Sequence, residues 1–272
     1  MLPYNLVMVR HGFSEANLFQ KGTFPDGTPA PPKPEEFGSR HDSNMRLSSL
    51  GVEQAKIAGD WLRANNLADF QLHYASPHTR TQETAGYLRL GGNWRLDDRL
   101  RERDWGEMSH LSKEEAAEKY PESIRLKEMN EWYWKPPGGE SLATGVRARF
   151  SSMMDSLYRR RGIESVIAVT HGELIRTAQF AIERMTPDQW LKMNDDPAYS
   201  VANTMILQYS RVSPHTGIVR DNFHWRRAVC PWDESKSWDG GEWIEFDIKT
   251  FTDDELIASA GAYRPLVAKD TK

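Results

Sequence analysis

Three short apolar runs, Leu6–Val9, Leu72–Ala75 and Val166–Thr170, each give way to a polar segment with helical spacing. A strand followed by a helix, repeated in this way, predicts an α/β fold with a mostly parallel sheet. Four pairs have the spacing of a capping box and mark helix starts: Thr79 with Gln82, Ser112 with Glu115, Thr186 with Gln189, and Thr252 with Glu255. Pro187, directly after Thr186, suits a first helical position. Val146, Phe150, Met153 and Leu157 recur at steps of four, three and four, which predicts a helix from near Ser141 with one face in the core.

Two stretches lack either period. Residues 20–46 carry five prolines and three glycines and read as a long loop insertion. Residues 220–272 form a tryptophan-rich C-terminal extension whose Trp225, Trp232, Trp238 and Trp243 are expected to pack over the body rather than stack on a ligand. The 272 residues are expected to make a single domain.

Composition narrows the function. Hydrophobic residues at 39% and charged residues at 27% fit a globular chain, and no apolar run approaches the ~18 residues of a membrane span. Leu6–Val9 is too short for a signal-peptide core. The single cysteine, Cys230, allows no internal disulfide and no thiolate cluster, so a reducing, cytoplasmic setting is expected. A net charge of -4 argues against nucleic-acid affinity, and any anion site must be a local pocket.

Such a pocket is written at the strand ends. Arg10-His11-Gly12 closes the first run and His171-Gly172 the third, while Ser76-Pro77 closes the second and leads to Arg80 at a helix start. Ligands of open α/β sheets bind at the carboxyl ends of the strands, and helix N-termini add free N–H donors. A phosphoryl group needs fixed donors for its charged oxygens, and the planar, permanently charged forks of Arg10 and Arg80 supply them, with His171 as a third donor. Their positive charge lowers the pKa of His11, leaving a neutral imidazole as nucleophile. The leaving oxygen requires an acid between the second and third runs. Glu102 is assigned, with Asp104 and Glu107 as competing carboxylates. No metal-ligand spacing stands out among His11, His41 and His171.

Taken together and in order, Arg10-His11-Gly12 with Ser14 and Asn17, Leu47–Gly51 with Gln54-Ala55, Ser76–Ala85, Leu100-Arg101-Glu102, Gly138–Ser141 and Thr170-His171-Gly172 resemble the histidine phosphatase superfamily, in its phosphoglycerate mutase-like branch. The resemblance runs from Leu6 to Gln208. It implies a three-layer α/β/α sandwich, a phosphohistidine on His11, and a phosphate pocket of Arg10, Arg80 and His171 with Asn17 in support. It also implies Glu102 as proton donor, with no metal or cofactor. Ser14 and Thr23 are expected to add polar contacts near the pocket. Phe13 departs from the polar residue usual after Arg-His-Gly and is expected at the pocket mouth. Arg103–Glu107 replaces the family's Trp-Glu-Gly.

The first reading is a phosphatase acting on a small phosphorylated metabolite. A phosphomutase and a non-catalytic phospho-ligand module remain as alternatives. Trp132, Tyr133 and Trp134 are expected to frame the pocket, and Arg226 and Arg227 to sit in water.

Overall fold

The computed structural model describes residues 1–267. In chain order its main elements are β1 (Asn5–Arg10), α1 (Glu15–Lys21), α2 (Ser49–Ala64), β2 (Leu72–Ala75), α3 (Thr79–Leu88), β3 (Trp94–Leu96), α4 (Lys113–Lys119) and α5 (Pro121–Met129). There follow α6 (Arg147–Arg159), β4 (Ser165–Thr170), α7 (Gly172–Ile182), α8 (Pro187–Asp195), β5 (Ile206–Ser210), β6 (Trp225–Val229), β7 (Ile244–Glu245) and α9 (Asp253–Ala260). The sheet order is β3-β2-β4-β1-β5-β6-β7.

The expectation of a mostly parallel sheet holds for one half. The strands β3, β2, β4 and β1 pair in parallel, whereas β5, β6 and β7 join antiparallel, so the sheet is mixed. Alternate strand residues feed opposite faces. Leu6 and Met8 of β1 and Val166 and Ala168 of β4 pack with Phe150, Met153 and Leu157 of α6 and Leu174 and Ile175 of α7. Val7, Val9, Ile167 and Val169 meet Ala58 and Leu62 of α2 and Ala85 and Leu88 of α3 on the other side. Helices thus cover both faces, giving the three-layer α/β/α arrangement. Gly59 lets α2 close onto α3, because a Cβ there would strike the carbonyl of Leu88.

Of the four expected capping boxes, those at Ser112, Thr186 and Thr252 form. Thr79 is not a cap: α3 starts one residue earlier, with His78 as N-cap. Thr81 Oγ1 bonds the carbonyls of Ser76 and His78, and Gln82 Nε2 donates to Pro77 O, so the strand-end turn fixes the helix start. The stripe from Val146 to Leu157 is buried as expected, entered from Ser141 through one π-type turn. The tryptophan-rich segment is more than a tail laid over the body, since it contributes β6 and β7 to the sheet.

Candidate active site

The parallel register sets Arg10 beside Thr170 and Ala75 beside Val169, so β1, β4 and β2 end side by side. The residues that follow them converge. His11 N–H donates to Thr170 O at 2.9 Å, locking the first strand end to the third. The rings of His11 and His171 lie 5.2 Å apart, edge to face. Gly12 is required here because a Cβ would collide with the Gly51 carbonyl at the start of α2. Its N–H is taken by Thr84 Oγ1 at 3.0 Å.

His11 is 3% exposed. Its Nδ1 lies 2.7 Å from the carbonyl of Gly12. A carbonyl only accepts, so this bond puts the proton on Nδ1 and leaves the lone pair on Nε2. Burial, followed by the charges of Arg80 and Arg10, holds the His11 pKa well below its ordinary value. His171 is depressed for the same reasons, with burial foremost. Its Nε2 is 2.8 Å from Ser76 Oγ, and its Nδ1 is buried without a partner.

Both arginines reach this cup. Arg10 Nη1 donates to Val201 O, and its Nε is buried and unpartnered. Arg80, on the first turn of α3, donates to Asp42 O at 2.6 Å and to Asp42 Oδ2 at 2.9 Å. Asp42 therefore covers the guanidinium that would clamp a phosphate. Glu102 faces the same cavity, which measures about 1320 Å³ and is also lined by Arg10, His11, Asn17, His78 and Arg80. Burial, with the charge of Glu173 second, raises the Glu102 pKa to about 7. Its Oε1 accepts from Arg103 N at 2.9 Å. Arg149, paired with Glu140 at 2.7 Å, pins the carbonyls of Arg99 and Arg101, and Thr170 Oγ1 bonds Leu100 O. The segment bearing Glu102 is thereby tied to α6 and to the end of β4.

Asn17 lines the cavity, and its Oδ1 accepts from Asn203 Nδ2 at 3.0 Å. The same Asn203 amide donates to His11 O, a brace absent from the sequence reading. Ser14 and Thr23 are not on the cavity wall. Ser14 is the buried N-cap of α1, bonded to Asn17 N, and Thr23 sits on the exposed loop opposite Pro29. Of that loop, Gln20, Lys21, His41 and Asp42 reach the cavity. Phe13 is fully buried against Phe24 rather than at the mouth.

Trp132 stacks on Phe180 in the core, Trp134 packs with Met108 and Ala116, and Tyr133 is exposed, so none of the three frames this cavity; Trp105 does. Asp104 lines the mouth, whereas Glu107 accepts from Tyr120. His78, 4.8 Å from His171, is held at a pKa of about 4 by burial and Arg80, so it adds a neutral ring to the cup. Arg226 and Arg227 are not solvated: Arg226 pairs with Glu183 and Asp239, and Arg227 lies between Trp61 and Trp243. Among the described residues no cluster of three His, Cys, Asp or Glu suits a metal ion.

Two cations, a nucleophilic nitrogen and a protonatable carboxyl in one cup have the donors, attacking atom and acid that phosphoryl transfer requires. Among known proteins, the chain matches the family model of the histidine phosphatase superfamily (branch 1) over residues 6–211. A 2,3-bisphosphoglycerate-dependent phosphoglycerate mutase of Rhizobium meliloti (strain 1021) is 32% identical over 198 residues, 70% of this chain and 84% of that protein. A solved mycobacterial glucosyl-3-phosphoglycerate phosphatase complexed with VO3 is 26% identical, with a TM-score of 0.60, over 76% of this chain and 92% of that one. The alpha-ribazole phosphatase from Shigella flexneri, 16% identical with a TM-score of 0.60 over 79% and 94%, shares the fold.

Proposed function

The chain belongs to the histidine phosphatase superfamily, and on that premise we propose that it hydrolyses a small phosphomonoester through a phosphohistidine on His11. The observation that carries this reading is the pairing of a His11 ring whose Nε2 is free with a Glu102 carboxyl poised near pH 7 in the same cavity. Nε2 attacks phosphorus, the N–P bond forms as the ester P–O bond breaks, and Glu102 gives its proton to the departing alkoxide. The resulting carboxylate then takes a proton from water as that water attacks the phosphohistidine, which releases phosphate and restores both groups. Arg10, Arg80 and His171 hold the non-bridging oxygens throughout, with Arg80 exchanging Asp42 for the ligand.

The phosphomutase reading has its own support, since a curated relative at 32% identity is named a phosphoglycerate mutase. A mutase must keep water from its phosphohistidine. The wide cavity, whose lining includes the exposed Asp104, Lys113 and Glu128, favours hydrolysis. The test is a phosphate-release screen over several dozen phosphorylated metabolites, run beside His11→Ala and an assay for positional isomers. Phosphate release that vanishes in His11→Ala is expected. Isomer formation without release selects the mutase, and ligand binding without either product selects a non-catalytic module. Labelled enzyme trapped during turnover should keep its phosphoryl group in alkali and lose it in acid, as a phosphoramidate does.

A further inference from the structure

Arg176 stands on the face of α7 that carries Gly172, four residues further along, and both line the cavity. Gly172 abuts the phosphate cup, since a Cβ there would sit 3.4 Å from Arg10 Nε. Four residues of helix place Arg176 roughly 6 Å along the axis from that contact. The residue is 6% exposed, and its Nη1 is buried with no partner. The other buried arginines each donate side-chain hydrogen bonds: Arg80 to Asp42, Arg103 to the carbonyls of Glu140 and Trp134 although its Nη1 also lacks a hydrogen-bond partner, Arg211 to those of Arg220 and Leu2, and Arg226 to Glu183 and Asp239. Among the described residues, Arg176 alone of this group donates no side-chain hydrogen bond.

The charges of Glu173 and Asp196 favour its cation, but neither carboxylate forms an ion pair with it among the described residues. Glu173, three residues earlier, lies 3.9 Å from Arg103 Nη1, and Asp195 on the opposite wall is exposed to water. Asp196 caps the turn that follows α8 by accepting from Ala198 N. The Trp238 ring backs the guanidinium at 5.7 Å, and Trp190 Nε1 satisfies only the backbone carbonyl of Arg176. Burial draws its pKa down to about 10, which still leaves it charged at neutral pH. A buried cation with unmade bonds is costly, and folded proteins rarely retain one unless water, an ion or a ligand supplies the acceptor.

We propose that Arg176 receives an oxyanion, either a carboxylate or a second phosphate, carried on the alcohol half of the substrate, and so selects phosphomonoesters that bear a second negative group. This rests on the phosphoryl-transfer reading, whose first half-reaction hydrolase and mutase share.

The experiment measures binding, so it does not depend on turnover. In His11→Ala, dissociation constants are measured calorimetrically for monophosphates of ω-hydroxy acids with two to six carbons, and for monophosphates and bisphosphates of diols of the same lengths. At one or more lengths the acid or the bisphosphate should bind at least about tenfold tighter than the diol monophosphate, and which of them does so identifies the oxyanion. Arg176→Met in the same background should bring that ratio close to one. A ratio near one at every length in the His11→Ala protein overturns the proposal, as does a ratio that survives Arg176→Met. If the methionine variant does not fold, Arg176→Gln serves the same comparison. An arginine kept only for packing predicts a lower melting temperature in these variants with the preference intact. Failure of the phosphoryl-transfer reading shows separately, as the absence of both phosphate release and positional isomers when the unmodified enzyme is given every compound.

Discussion

Replacing Glu102 with glutamine removes one ionisable group while keeping its shape, and two independent magnitudes follow from its pKa of about 7. The first is kinetic. As the acid that protonates the leaving oxygen, Glu102 must be neutral, so kcat/KM should fall as pH rises through about 7, roughly tenfold per unit beyond it. His11, held well below its ordinary pKa, stays unprotonated across this range and does not produce the alkaline fall. Glu102→Gln should lose about 10²–10⁴-fold on alkyl phosphates and much less on 4-nitrophenyl phosphate, whose leaving group needs no proton.

The second magnitude is thermodynamic. The folded pKa is raised above the ordinary value of 4.5, so stability is fully present below about 4.5 and is lost as pH climbs to about 7. A rise from 4.5 to about 7, at ~1.4 kcal/mol per pH unit, corresponds to about 3.5 kcal/mol. Glutamine does not incur this loss, so the variant should match the wild type near pH 4 and exceed it by up to about 3.5 kcal/mol at pH 8 in urea unfolding. An alkaline limb that persists in Glu102→Gln, or a stability difference that does not change with pH, would refute the assignment.

Four further outcomes are expected. Gly12→Ala drives a methyl into the Gly51 backbone and should cost about 2 kcal/mol or more together with activity, whereas Gly86→Ala, with open space around it in α3, should gain about 0.5–1 kcal/mol by the same denaturant assay. Asp42→Asn weakens the internal partner of Arg80, so the inhibition constant for inorganic phosphate should drop by about three- to tenfold. Arg226→Met strips the nearly buried Glu183 of its cation and should destabilise by about 3 kcal/mol, softened by the Tyr209 hydroxyl that still donates to Glu183 at 2.6 Å.

The strands that bear the cup were legible because each is a short apolar run ending in His-Gly or Ser-Pro, and local pattern alone reports that. The antiparallel half was not. The β6 strand reads Trp-Arg-Arg-Ala-Val, and its two charges look solvated until Glu183, Asp239, Trp61 and Trp243 arrive from elsewhere in the chain. Asp42 and Asn203 were missed for the same reason: each acquires its place only through a partner, Arg80 or the His11 carbonyl, that is remote in sequence. Ser14 and Asn17 were grouped from one motif, yet the fold gives the first a capping bond and the second a place on the cavity wall. The cap expected at Thr79 failed because the Ser76–His78 turn supplies hydrogen bonds that compete with the local box.

The amide of His11 is bonded across to Thr170, and the strands they extend are neighbours in the middle of the sheet. Prising the two imidazoles apart would mean splitting that sheet down its centre, an event as costly as melting the whole domain. Catalysis and foldedness should vanish together on heating, so the residual rate of a warmed sample would double as a thermometer of its native fraction.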